Sequence, residues 1–181
     1  YRPEIDGLRA IAVLAVIFYH AQLEFFGYNF FKGGFIGVDI FFVISGYLIG
    51  SLIIKELELT NNFSFMNFYE RRARRILPAL FSVLVISFPF ALYYILPNNF
   101  VEFAKSSIYS LFFGSNFYFH YSGLVYGAED GLLKPLLHTW SLSVEEQFYL
   151  IFPIFLLLIY RFFRDHLLKF MVIGFLFSLI L

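Results

Sequence analysis

An arginine and a histidine eleven residues apart, Arg9 and His20, stand near the two ends of an otherwise apolar stretch. Ionisable side chains are expensive inside a bilayer and persist mostly where they face a bundle interior or a polar cavity. In a helix, eleven residues advance about 16 Å and turn roughly 1100°, about 20° from three full turns, so both side chains share one face. That face carries a cation deep and an imidazole high. Two carboxylates, Asp39 and Glu145, open later apolar stretches, and four arginines, Arg71, Arg72, Arg74 and Arg75, crowd one connection. Arginine suits bidentate phosphate recognition, and Arg72 and Arg75, three apart, share a helical face.

The elements that must position these groups are apolar. Of all residues 60% are hydrophobic and 23% aromatic, which marks an integral membrane protein. The net charge is zero, so no attraction to nucleic acid is expected, and the charges that matter are local. The absence of cysteine excludes a thiol nucleophile, disulfides and thiolate metal sites. There is no glycine-rich phosphate loop, no H-E-x-x-H metal pair and no G-x-S-x-G elbow. No cleavable signal peptide is visible, and a start at Tyr1 with an end inside an apolar run reads as a piece of a longer protein.

The expected fold is all-α, a polytopic transmembrane helix bundle. Apolar stretches at residues 8–26, 35–54, 76–96 and 142–160 each have about the length a bilayer core requires, and a fifth, 170–181, is truncated. Residues 104–121 are aromatic but interrupted by Ser106, Ser107, Ser110, Ser115, Asn116 and His120, and counting them as a span reverses everything after them. Positive charge arbitrates, since short cytoplasmic loops are enriched in lysine and arginine. With the arginine cluster inside, Arg161, Arg164 and Lys169 also fall inside only if 104–121 does not span. The expectation is therefore a long external segment over residues 97–141 with an interfacial or re-entrant helix, and a cytoplasmic N-terminus.

In that topology Arg9 and the arginine cluster lie at the cytoplasmic face, and His20, Asp39 and Glu145 lie toward the outer face. An extended anionic thioester such as an acyl-coenzyme A would bridge the two ends, phosphates inside and acyl group outward. Other readings stay open. Four arginines beside a membrane helix also serve as a topology determinant or a lipid-headgroup contact. Gly33, Gly34, Gly37, Gly46 and Gly50 permit close helix packing, and Asp39 would cap its helix or anchor a polar network that includes Ser45. Pro78 fits a first helical turn, and Pro89 a kink within the third span. Glu102, Glu129 and Asp130 read as solvated external charges, and His120 and His166 have no evident partner.

Four blocks carry a more specific signal: YRPEIDGLRAIAVLAVIFYH from Tyr1, GGFIGVDIFFVISGYLI from Gly33, FYERRARRILPAL from Phe68, and LLKPLLHTWSLSVEEQFYLIFP from Leu132. In this order they resemble the family-3 membrane acyltransferases, which include bacterial O-acetyltransferases of lipopolysaccharide and other glycans. The resemblance implies the N-terminal part of an acyltransferase domain, here residues 1–181, in the bacterial inner membrane. It implies transfer of an acyl group, usually acetyl, from cytoplasmic acyl-CoA to a hydroxyl of a cell-envelope glycan or glycolipid, with no metal and with a periplasmic esterase-like domain as a further partner. The family's arginine and histidine of the first helix fall on Arg9 and His20, its arginine pair on Arg72 and Arg75, and its acidic position on Glu145, with Glu146 beside it. The mechanism expected from these has His20 and Glu145 as catalytic and Arg9, Arg72 and Arg75 on the donor, with Asp39, Ser45 and Trp140 as supporting candidates. Arg71 and Arg74 satisfy the same two-residue gap as Arg72 and Arg75. A proton-coupled transporter or flippase using His20, Asp39 and Glu145, or a membrane scaffold needing none of them, are the readings from other classes.

Overall fold

The computed structural model describes residues 2–22, 31–124 and 134–180. Every regular element among them is helical, as expected: α1 (Pro3–His20), α2 (Ile36–Thr60), α3 (Phe65–Tyr94), α4 (Pro97–Leu111), α5 (Ser115–Gly123), α6 (Thr139–Phe162) and α7 (Leu167–Ile180), with a 3₁₀ turn over Arg164–His166. Helices α2, α3 and α6, of 25, 30 and 24 residues, are long and apolar enough to cross a membrane. The chain is a multi-pass membrane protein.

The boundaries shift where local chemistry is stronger than hydropathy. Helix α1 has 18 residues and closes at His20, short of the expected residue 26. Ala21 donates its N–H to the Ile17 carbonyl at 2.9 Å, and Gln22 at φ 48 turns the chain out of the helix. Residues 23–30 lie outside the described residues. Helix α3 begins at Phe65, well before the expected residue 76. Its cap is Ser64, whose Oγ accepts the Asn67 N–H at 3.4 Å. Just upstream, Asn61 closes α2 in the left-handed region at φ 51, a conformation asparagine tolerates. The connection between the spans is thus a few residues around Asn61–Ser64, and the arginine cluster lies inside α3 rather than in a loop.

Pro78 accordingly sits in the interior of α3, not in its first turn, and Pro89 is also interior. Each proline removes one ladder donor, which membrane helices tolerate when neighbouring groups take up the freed carbonyls.

The chain divides into two compact units, Tyr1–Asn61 with Tyr149–Leu181, and Asn62–Phe148. In the first, α1 and α2 run antiparallel at very close range. A Cβ on Gly34 would stand 2.2 Å from the Ala15 carbonyl oxygen, and one on Gly37 2.5 Å from that of Ala12. Only glycine permits this approach, so Gly34 and Gly37 fill the packing role expected of them. Gly33 faces open space, and Gly50 meets the Phe152 ring at an ordinary 3.8 Å. Farther along the hairpin, Arg2 Nη1 donates to the Tyr47 hydroxyl at 2.5 Å.

The second unit has its apolar core in Ala91, Phe103, Phe119 and Leu136. Residues 104–121 do not make one continuous helix. Phe113 at φ 52 and Gly114 separate α4, of 15 residues, from α5, of 9. Fifteen helical residues reach about 22 Å, short of the roughly 30 Å of a hydrocarbon core. This fits the expected interfacial or re-entrant segment. Glu129 and Asp130 lie outside the described residues.

Candidate active site

His20 is the last residue of α1, exposed, with its ring edge-on to Tyr19 at 5.1 Å. Nδ1 lies 2.9 Å from the carbonyl oxygen of Val16, one turn back. A carbonyl only accepts, so this hydrogen bond assigns the proton to Nδ1 and leaves Nε2 as the basic nitrogen of the neutral ring. The bond also fixes the ring's direction. Val16 packs against α2 at Gly37, where a Cβ would meet Val16 Cγ2 at 2.8 Å.

The same packing sets the depth of Arg9. Ala12 and Val16 straddle Gly37, so Arg9 lies about 8 Å farther toward the Arg2 end, level with the apolar stretch of α2 around Phe42. It thus lies away from the charged Lys55–Glu58 end of α2. Its side chain is 25% exposed, and the Asp6 carboxylate is at 3.9 Å, the outer limit of an ion pair. Asp39 is exposed in the first turn of α2, but it is not the cap. The N-cap is Phe35, without a side-chain bond, and a carboxylate at Asp39 acts there through the helix dipole. Ser45 is buried on α2.

Helix α3 separates the four arginines. Arg74 Nη2 pairs with Glu70 Oε1 at 2.6 Å on an exposed face. Arg71 and Arg75 are exposed as well, whereas Arg72 is half-buried. Its guanidinium stands 5.7 Å from the centroid of the Phe68 ring, itself 1% exposed. Of the two possible pairs, Arg72 and Arg75 thus include the arginine turned inward.

On α6 the structure adds a residue to the expected carboxylate. Glu145 and Glu146 are both half-buried, but Glu146 Oε1 has no solvent access and no hydrogen-bond partner. Trp140, five residues before Glu145, is 39% exposed.

The turn of α6 that carries Glu146 is held by a polar seam reaching α4 and α5. Thr139 Oγ1 lies 2.8 Å from Ser110 Oγ and 3.0 Å from Ser115 Oγ, and Ser115 Oγ lies 2.7 Å from Ser143 Oγ. Gln147 Nε2 donates to the Phe113 carbonyl at 2.7 Å and to Asn116 Oδ1 at 3.0 Å, and Asn116 Nδ2 donates back to Gln147 Oε1 at 3.2 Å. All four hydroxyl residues are buried. The polar residues that interrupt 104–121 are therefore the partners of a stripe on α6. The signal in the sequence was the four-residue spacing of Thr139, Ser143 and Gln147, which places them along one face.

Between α4 and α5, Glu102 is not simply solvated. Tyr118 donates its hydroxyl to Glu102 Oε2, and Lys105 Nζ donates to Oε1 at 2.9 Å. The Tyr118 bond and then the lysine hold this carboxyl below its ordinary range, while burial and the neighbouring carboxylate push the Tyr118 hydroxyl up. His20 belongs to one compact unit, and Arg72, Glu145 and Glu146 to the other.

Known proteins with related sequences match most of the chain. The chain is 41% identical over 165 residues to the peptidoglycan O-acetyltransferase OatA of Listeria monocytogenes, covering 91% of the chain and 26% of that protein. It is 39% identical over 163 residues to O-acetyltransferase OatA of Staphylococcus aureus, covering 90% and 26%. It is 43% identical over 162 residues to the putative peptidoglycan O-acetyltransferase YrhL of Bacillus subtilis, covering 86% and 24%. The chain thus spans about a quarter of the length of these relatives. No solved structure matches it. A family model described as an acyltransferase domain matches residues 2–181, and with relatives of this similarity the chain belongs to that acyltransferase family.

Proposed function

We propose that the protein of which this chain is part is a membrane-embedded O-acyltransferase of the bacterial cytoplasmic membrane, with the N-terminus of α1 on the cytoplasmic side. It takes an acyl group, acetyl in the first instance, from acyl-CoA and esterifies a hydroxyl of a cell-envelope glycan. Peptidoglycan is the acceptor class that the names of the relatives point to. The single observation that carries the reading is His20, an exposed imidazole at a helix end whose Nδ1–H is held by Val16 and whose Nε2 is left basic.

In the proposed step Nε2 takes the proton of the acceptor hydroxyl as its oxygen attacks the thioester carbonyl carbon. The C–O bond forms, the C–S bond breaks, and the CoA thiolate leaves and takes up the proton from the imidazolium. Arg72 and Arg75 hold the donor phosphates by charge-assisted hydrogen bonds, and Arg9, partly buried alongside α2, adds a cation along the donor's path. Glu145 remains the second acid/base candidate.

The test uses membranes containing the full-length protein, acetyl-CoA labelled in the acetyl group, and cell-wall acceptor. The account expects label in base-labile ester linkage and one CoA released per ester. Label that crosses the membrane without ester formation would point instead to a transporter, and no incorporation by inserted protein would remove acetyl-CoA as donor.

A further inference from the structure

Resting on the acyl-CoA reading above, we propose that Arg2, held by Tyr47, seats the ribose 3′-phosphate of the donor and so makes the enzyme prefer acyl-CoA to its 3′-dephospho form. Arg2 precedes His20 by eighteen residues, about 27 Å of helix and about five full turns. It precedes Arg9 by seven, about 10 Å and within about 20° of two turns. The three side chains therefore form one row, with His20 at one end, Arg9 between and Arg2 at the other end. The contact of Arg2 with Tyr47 shows that its end of the row is turned toward α2. An acyl-CoA carries its groups in the same order: the thioester at the tip of the pantetheine arm, the diphosphate beyond it, and the 3′-phosphate on the nucleotide at the far end.

The contacts of Arg2 suit it to an anion. Nη1 donates to the Tyr47 hydroxyl at 2.5 Å, and the guanidinium carbon stands 5.7 Å from the centroid of the same ring. Bond and ring together restrict a side chain that otherwise has many rotamers, so less ordering remains to be done when a ligand binds. The partner is a neutral hydroxyl, which leaves the positive charge uncompensated, whereas Arg74 is paired with Glu70 and Lys105 with Glu102. Asp6, between the two arginines in sequence, is directed to Arg9, at 3.9 Å. A guanidinium has five N–H donors, and with one given to Tyr47 the others can fork onto two oxygens of a phosphate. The Tyr47 hydroxyl accepts from Arg2 and keeps its own O–H for a third oxygen. A phosphate monoester offers three such oxygens and nearly two charges at neutral pH, which favours the 3′-phosphate over a singly charged diphosphate unit. Both residues are exposed, Tyr47 at 45%, so the seat is open to a ligand.

The experiment measures acetyl transfer against donor concentration in membranes containing the full-length protein, with acetyl-CoA and with 3′-dephospho-acetyl-CoA as donors. The parent, Arg2→Gln and Tyr47→Phe are compared at equal inserted amounts. The parent is expected to have a KM about tenfold lower for acetyl-CoA than for the dephospho donor. In Arg2→Gln the KM for acetyl-CoA rises about tenfold while that for the dephospho donor moves less than about twofold, so the preference disappears. Tyr47→Phe keeps the ring but removes the hydroxyl, and raises KM about threefold with acetyl-CoA alone. Because the two donors are compared within each variant, a loss of folded protein cancels from the ratio. A parent that uses both donors equally, or an Arg2→Gln variant that keeps the parental preference, would overturn the assignment. So would an Arg2→Gln variant impaired equally with both donors, which would put Arg2 on a lipid headgroup or on the fold itself. A parent that transfers from neither donor removes the acyl-CoA reading, and this inference with it.

Discussion

At the scale of single residues, the assignment turns on an imidazole with one nitrogen committed and one left basic. His20 supplies that through the Val16 carbonyl, a bond no inspection of residue types reveals. What the sequence did show is that Arg9 and His20 share a helical face. It did not show that Arg9 lies alongside the apolar part of α2, because that depth follows from the contacts of Gly34 and Gly37 rather than from hydropathy. The arginines make a second residue-scale prediction. Arg72→Lys replaces a planar fork with a point charge, so donor KM should rise about 10-fold or more, whereas Arg74→Lys, in an exposed pair with Glu70, should change it less than about twofold. Saturation curves for the two variants in full-length protein check this, and equal effects would mean that the inward arginine has no special part.

At the scale of elements, the α1–α2 contact has almost no slack. Gly37→Ala should destabilise the hairpin by about 1–3 kcal/mol, the usual cost of overpacking, and Gly33→Ala, which faces open space, should be nearly silent. Thermal unfolding of the detergent-solubilised full-length variants distinguishes the two. The α4–α5–α6 seam gives a parallel expectation. Thr139→Val leaves hydroxyls of Ser110 and Ser115 short of a partner and should lower the transition by the equivalent of about 1–3 kcal/mol.

Between α4 and α5, the Glu102–Tyr118 bond is sensitive to pH. The folded-state pKa of Glu102 is depressed, so its contribution is present above the ordinary carboxylate pKa and is lost as the pH falls below it. Protease sensitivity of the α4–α5 segment should rise on acidification in the parent, and Glu102→Gln should show that sensitivity already at neutral pH. These links explain why element boundaries were only partly legible. Hydropathy located the apolar parts of α2, α3 and α6, but Ser64 carries α3 back past the arginines, and Phe113 with Gly114 splits what a hydropathy window sees as one aromatic stretch.

At the scale of the whole molecule, the membrane class and the helical fold were plain from composition, since 60% hydrophobic residues leave few other solutions. The candidate site was legible as residue types on one helix and one cluster, and as four blocks shared with a family. It was not legible as a seam, because Ser110, Ser115, Thr139 and Ser143 acquire meaning only when three helices meet. The exposed apolar side chains of α3, among them Val85, Ile86 and Phe90, suit contact with lipid or with another apolar helix.

The central claim is that the exposed imidazole of α1 performs the acyl transfer. Its most direct measurement is the rate of labelled acetyl esterification by membranes containing the full-length protein and by its His20→Ala variant at equal insertion. The account predicts a loss of about 10²-fold or more, the usual contribution of a general base, with donor binding retained. A variant that acetylates at the parental rate would contradict it.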